Sequence, residues 1–448
     1  MTGTRSVRII ATNDFFGSFA PSPTSYGALP GGEGLRRTVA RLRAGQPTIW
    51  ADVGDFSGGP LAALAGGSSG FEAAADLGID VAAAGNHEFD RGLAHLQACA
   101  PKLGFPLLCA NADADLPGTA LLPTEAGAVG FVGLTMPGAD LNPPFGRRPS
   151  GPAGPLADRA LERVVPAAAR QLRADGAAFV VALLHDGVDL RSGRAGRPVV
   201  DPARLVALCQ PWAASVDAIL AGHTVVGRWF GQVAGVPVAQ PWAYGAEVAV
   251  IELARDAPAR VRGVMVEPAG AWMGRGTDLL DLAGRQVVGH LPTALRWPNA
   301  RRPTLLDFAA AALRRATGAD AAVVMAWTGG VNTIQPAPDG VQAFLPAGPV
   351  AEIDLLRAVP WPSDATVRLT VALEEWEEIV RTAASPPLAP TAQGRGGSDV
   401  RPHMRSRRTM TAAMTAYTAA EMEGWLGRAW EWADAGYGLR AALKEALQ

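Results

Sequence analysis

The alternation of apolar and polar positions marks a series of short strands, most of which stop at a polar cluster. Ser6–Thr12 places Val7, Ile9 and Ala11 on one face and ends at Asn13-Asp14-Phe15-Phe16-Gly17. Thr48–Val53 runs into Gly54-Asp55, and the apolar run Asp80–Ala84 is closed by Gly85-Asn86-His87-Glu88-Phe89-Asp90. Phe179–Leu184 ends at His185-Asp186-Gly187, and Ala218–Ala221 at Gly222-His223-Thr224. Pro106–Asn111 and Val129–Thr135 read as strands too, with two or three more through Val266. Helical spacing predicts helices at Gly34–Ala44, near Phe71–Leu77, at Gly92–Ala100 and at Arg159–Ala174.

Strands alternating with helices argue for an α/β domain. The pattern loosens around Glu267–Asn299, with scattered Gly and Trp, and the domain boundary is expected there. The division is a first domain over 1–270, a linker over 271–300 and a second, α+β domain over 301–448. That second unit opens with an amphipathic helix, Leu305–Ala316, and continues with strands at Ala321–Met325 and Thr366–Val371. Thr418–Leu447 reads as largely helical, with Trp425, Trp430 and Trp432 as core contacts. Two Pro/Gly-rich stretches stand out: Met136–Pro155, a lid or a surface insertion, and Ser385–Arg408, a flexible loop.

Length and composition agree with two cores. The chain has 448 residues, more than one ordinary core organises, and 48% of them are hydrophobic. A net charge of -2 gives no electrostatic reason to expect a nucleic acid polymer or a membrane as partner. The three cysteines, Cys99, Cys109 and Cys209, are odd in number and dispersed, and read as free thiols in a reducing compartment. No charged segment with an apolar core precedes the first strand, and no run of about 20 apolar residues could span a bilayer. The expectation is a cytoplasmic protein, or an exported one if the start codon is misassigned.

Asp14, Asp55, Asn86, His185 and His223 each follow a predicted strand closely. Ligands of open α/β sheets gather at the carboxyl ends of strands, so these five side chains are expected to converge across some 200 residues. Two carboxylates, an amide oxygen and two imidazoles form a mixed oxygen and nitrogen set suited to Mn²⁺, Zn²⁺, Fe or Co. A single strand-end Asp is more often a turn former, and a single buried His more often a satisfied core residue. The ordered set outweighs both readings.

On these motifs the chain resembles the calcineurin-like metallophosphoesterase superfamily, and within it the 5′-nucleotidase family with its C-terminal domain. The resemblance is carried by Thr12-Asn13-Asp14, Gly54-Asp55, Gly85 to Asp90, Leu184 to Gly187 and Gly222-His223-Thr224. Weaker matches extend over most of the chain, including Leu305–Met325 and Val359-Pro360-Trp361. It implies a four-layer αββα sandwich followed by an α+β domain. It also implies hydrolysis of a small-molecule phosphoester, a nucleotide by preference, of 5′-nucleotidase or cyclic-nucleotide phosphodiesterase type, by water activated at divalent ions. Asp55 would bridge two metals, and Asn86, His185 and His223 would complete the second site. His87, oriented by Asp90, would contact the phosphate or the developing charge.

The chain departs from that pattern in two places. The family's first site has a His two residues after the first Asp and a second ligand two residues after the His of Gly-His-Thr. Those positions are Phe16 and Val225 here. Asp14 and the shared Asp55 remain, so one tight site and a second weak one are expected, the weak one favouring Mg²⁺ or Mn²⁺ over zinc. In the second domain the family's recognition Arg is missing from Ala326–Asn332, where Asn332 lies near its place. Arg395 and Arg401 are candidate phosphate contacts, and Trp425 and Tyr437 candidate base contacts with core packing as the stronger reading of both. Two other readings stand beside phosphoester hydrolysis. One is a degenerate homologue that binds without turnover, and the other a thiosulfohydrolase-like enzyme acting on sulfur esters.

Overall fold

The computed structural model describes residues 6–24, 27–65, 67–139, 157–192, 198–225, 227–297, 305–325, 343–359, 365–384, 396–400 and 408–448. The chain forms two compact units, and the main division between them falls between Thr277 and Asp278.

Two six-stranded sheets build the first unit. In one, Ser6–Thr12 lies between Thr48–Asp52, parallel to it, and Glu247–Ala254, antiparallel. Val81–Ala83 and Leu107–Leu108 extend the parallel side, and Ala257–Met265 forms the other edge. In the second sheet Ala128–Leu134, Ala177–Leu184, Ala218–Ala221 and Val236–Gln240 run parallel in that order. Thr119–Leu122 and Trp229–Val233 close its edges antiparallel.

Between the sheets lies a core of alternating strand residues, among them Val7, Ile9, Ile49, Phe131, Val181 and Leu220. The outer face of the second sheet is covered by helix Leu161–Ala174, which buries Leu161, Val165, Ala169 and Leu172 at helical spacing. Helix Gly31–Arg43 does the same for the first sheet with Leu35, Val39 and Leu42. The result is the expected four-layer αββα sandwich. Pairing sets what matters for function. Thr12 faces Asp52, which faces Ala82, while Leu134, Leu184 and Ala221 are aligned across the other sheet. Three strand-end loops of one sheet and two of the other therefore emerge level with each other.

The second unit is organised by a mixed five-stranded sheet in the order Gly396–Val400, Ala321–Met325, Thr409–Thr415, Ala365–Ala372, Trp432–Gly438. Its core includes Trp376, Ile379, Met410, Met414 and Trp430. Helix Leu305–Thr317 and strand Ala321–Met325 match the sequence pattern almost residue for residue.

Other expectations are corrected. Helix Ala416–Leu426 ends at Gly427 in the left-handed region, and the next element is strand Trp432–Gly438. The sequence WADAGYG has no helical apolar period, and its pairing with Ala365–Ala372 supplies the backbone partners. Part of the expected loop Ser385–Arg408 is strand Gly396–Val400, whose glycines give no pattern and whose conformation comes from pairing with Ala321–Met325. The stretch expected as a linker, 271–300, carries helix Thr277–Arg285 and strands Val287–Leu291 and Leu295–Trp297. Trp272 is buried against Phe19 in the first unit. Most of Met136–Pro155 lies outside the described residues.

The three cysteines are buried and unbonded. Among the described residues, no helix is long and apolar enough to cross a membrane.

Close approach of the sheets makes one glycine necessary. A Cβ at Gly133 would lie 2.2 Å from the Leu108 Cβ and 2.8 Å from its carbonyl carbon. Gly133→Ala is expected to cost about 1–3 kcal/mol by forcing the sheets apart. Equilibrium urea unfolding measures this, and a midpoint equal to wild type would show that the sheets do not pack this tightly.

Candidate metal centre

The loops that leave these strands are bound to one another before any ligand is considered. Asp14 N–H donates to Gly54 O, Phe16 N–H to Asp55 O and Tyr244 N–H to Asp14 O, each at 2.9 Å. Asp14, Asp55 and His223 all adopt positive φ, at 49°, 58° and 70°. Each costs a non-glycine residue about 1–2 kcal/mol. Strain concentrated at three polar strand-end residues marks a site whose side-chain directions matter more than backbone comfort.

Glu88 holds the arrangement. Its buried carboxylate accepts from Gly85 N and Asp55 N at 2.7 Å, from Phe56 N at 3.0 Å, and from Ser57 N and Oγ at 3.1 and 2.9 Å. Five donors from two loops thus meet on one side chain. Gly85 is required beside it, since a Cβ there would lie 2.1 Å from Asp55 Oδ1.

Around this staple four ligand-type groups converge. His185 is wholly buried, with Nδ1 2.9 Å from Val53 O. A backbone carbonyl can only accept, so Nδ1 carries the proton and Nε2 is left to face the site. Nε2 lies 3.1 Å from Asp55 Oδ2 and 3.1 Å from Asn86 Oδ1. His223 Nδ1 lies 2.9 Å from the same Asn86 oxygen. The ligand atoms of Asp55, His185 and His223 all fall within 4.8 Å of one another. Lone pairs crowded this closely call for a positive charge among them.

The electrostatics agree. Burial pushes Asp55 up, but His185, His87 and His223 outweigh it and hold the carboxyl below the usual range. Burial pushes His185 down, and Asp55 and Asp14 overcome it to raise it to about 10. Burial and the neighbouring His185 lower His223 to about 4. A proton on His185 therefore stands where a cation would compensate Asp55. An amide oxygen, a carboxylate and two imidazoles fit a divalent transition ion.

His87 and Asp90 sit beside this cluster. The turn His87–Phe89 brings His87 Nδ1 to 2.9 and 3.1 Å from the two Asp90 oxygens. Burial would lower His87, but Asp90 and Asp55 raise it to about 9. The main-chain N–H of His87 donates to Asp55 Oδ1 at 2.9 Å.

The region of Asp14 differs. Asp14 Oδ2 accepts from His223 N–H at 2.7 Å and from Asn13 Nδ2 at 2.8 Å, and burial raises the carboxyl to about 7. Phe16 packs against His87 and Tyr244, with ring centroids 5.3 and 5.6 Å away, and Val225 is fully buried. Neither offers a donor atom, so this region does not fit a second ion as the first region fits one.

Seven of the expected site residues are thus drawn together: Asp14, Asp55, Asn86, His87, Asp90, His185 and His223. Asn332, Arg395 and Arg401 lie outside the described residues. Trp425 packs against the core of the second unit, and Tyr437 donates to Glu445. Sequence reasoning missed Glu88 as a staple, although it lies inside the most telling motif. It also missed Gln240, whose Oε1 accepts from Val188 N while Nε2 donates to Thr224 O, Thr224 Oγ1 and Gly227 O. Arg204, which grips Asp186 through two nitrogens, has no local signal at all.

Across 99% of this chain and 96% of the other, the structure superposes on a 5′-nucleotidase precursor from Thermus thermophilus with a TM-score of 0.75 at 17% identity. The fold is that of the two-domain 5′-nucleotidases. A putative 5′-nucleotidase from Staphylococcus aureus shares this nucleotidase fold at a TM-score of 0.70 and 17% identity, over 98% and 96% of the chains. The sulfate thiohydrolase SoxB of Thermus thermophilus shares it at 0.69 and 16%, over 98% and 94%. No family model matches. Among curated proteins, the endonuclease YhcR of Bacillus subtilis is 25% identical over 377 residues, which is 75% of this chain. The match spans 29% of the length of that relative.

Glu88→Gln is expected to destabilise the protein by about 1–3 kcal/mol, because the amide turns a donor toward backbone N–H groups. The same variant should weaken Mn²⁺ binding, through the displaced Asp55. Denaturant unfolding and calorimetric titration read the two effects. Wild-type values in both would remove Glu88 from its role.

Proposed function

We propose that this protein is a metal-dependent phosphoester hydrolase acting on small phosphoesters of the nucleotide class. The observation that carries the reading is the convergence of Asp55 Oδ2, Asn86 Oδ1, His185 Nε2 and His223 Nδ1 beside the His87–Asp90 pair. Those four groups would hold one divalent ion. An ion there supplies Lewis-acid polarisation of a phosphoryl oxygen and lowers the pKa of water.

The protein's own residues do the rest. The carbonyl of Val53 fixes His185 in one tautomer, so the ring needs no reorientation to bind. The N–H of His223 is anchored on Asp14, which sets the direction of its imidazole. Asp90 holds Nδ1 of His87, so the exchangeable proton of that ring is carried at Nε2, where it would meet the phosphoryl or leaving-group oxygen. The nucleotidase fold of the structural neighbours and the match to a curated endonuclease support phosphoester chemistry. One specific observation favours the binding-without-turnover reading, namely the buried Phe16 and Val225, which offer no donor atom two residues beyond Asp14 and His223.

The test is phosphate release from nucleoside monophosphates and 2′,3′-cyclic nucleotides, titrated with Mn²⁺. Release that requires the metal is expected. His223→Ala should reduce it by about a hundredfold or more through lost metal affinity. Asp90→Asn should lower kcat by about a hundredfold with Mn²⁺ affinity unchanged. No release at any Mn²⁺ concentration would move the protein to the binding reading, with sulfate release from sulfur esters assayed to decide the third.

A further inference from the structure

Resting on the phosphoester reading above, we infer that the centre takes one divalent ion per chain and therefore favours singly charged phosphodiesters over doubly charged monoesters. The inference comes from the surroundings of Asp14. Among the described residues, Asp55, His185 and His223 are the one group of three His, Cys, Asp or Glu placed to hold an ion. A second ion beside it would find Asp14 and a share of Asp55, and little else. Asp14 Oδ2 is already committed to the His223 N–H and the Asn13 amide, which leaves the buried Oδ1 as the one open ligand atom of that side chain.

The adjoining side chains exclude the usual remedy, which is water. Hard cations fill out six or more positions with oxygen, and those waters need polar partners of their own. Phe16 is 8% exposed and Val225 not at all, and Phe16 packs between His87 and Tyr244. A phenyl ring and an isopropyl group cannot hold coordinated waters in place. Phe16 and Val225, two residues beyond Asp14 and His223, therefore bring carbon and no donor atom to this side of the centre.

The count of ions bears on substrate charge. A single divalent ion brings two fewer positive charges to the phosphoryl group than a pair does. Asp55 and Asp90 remain whatever is bound, and their described ion pairs are with His185 and His87, not with an Arg or Lys. A monoester dianion gains most from a second ion, and a diester monoanion least. The centre is thereby tuned to the less charged group, whether in an open or a cyclic phosphodiester.

The experiment has two arms. In the first, metal-free protein is titrated with Mn²⁺ by equilibrium dialysis and the bound ion is examined by electron paramagnetic resonance. One equivalent with the six-line spectrum of an isolated ion is expected. Two equivalents, or the spectrum of a coupled pair, would overturn the single-ion inference and leave the phosphoester reading standing. No binding, together with no phosphate release, would overturn both. In the second arm, Phe16→His combined with Val225→His supplies nitrogen ligands beside Asp14. It should bind a second equivalent, and the kcat/KM ratio for bis(p-nitrophenyl) phosphate over p-nitrophenyl phosphate should fall by roughly tenfold. An unchanged ratio in a variant that binds two ions would overturn the substrate preference. Should that variant fail to fold, Phe16→His alone serves instead: a second equivalent with a lowered diester-to-monoester ratio is expected, and a second equivalent with the ratio unchanged would overturn the substrate preference.

Discussion

Everything in the first unit that concerns chemistry depends on one buried carboxylate and the five donors it gathers. Glu88 ties the loop after Thr48–Asp52 to the loop after Val81–Ala83, and in doing so fixes the backbone of Asp55. Leaving any of those donors unpaired in a buried place would cost about 1–3 kcal/mol, so the two loops cannot drift apart independently. The left-handed conformations of Asp14, Asp55 and His223 are tolerated because the surroundings over-determine them.

The same logic is repeated on the second sheet with other residues. Gln240 joins the loops that carry His185 and His223 through Val188, Thr224 and Gly227. Arg204 fixes Asp186, next to His185, from a helix whose sequence gives no hint of the task. Two rigid sets of loops, one per sheet, are then brought together by the apolar core between the sheets. The sets meet where His185 reaches Val53, Asp55 and Asn86 and where His223 reaches Asn86 and Asp14.

Beside Asp14 the physical character changes from polar to apolar within a few residues. Phe16 shares its left-handed backbone with Asp14 and Asp55, and presents a ring of carbon to His87. Val225, two residues after His223, is fully buried. With apolar side chains at both positions the loops, their strain and their hydrogen bonds are in place.

The sequence by itself determined the strand-end motifs, the α/β first unit, the amphipathic helix and strand that open the second unit, and the two departures at Phe16 and Val225. These are legible because each is local: periodicity over a few residues, or a residue identity at a fixed spacing. What the tertiary structure decided is of another kind. Strands Gly396–Val400 and Trp432–Gly438 exist through their partners, since neither carries a period of its own. The first unit reaches to Thr277 and includes Trp272, which packs against Phe19 about 250 residues away in the chain. The staple of Glu88 and the bridging by Gln240 required knowing which backbone N–H groups face each side chain, and pairing between distant loops sets that.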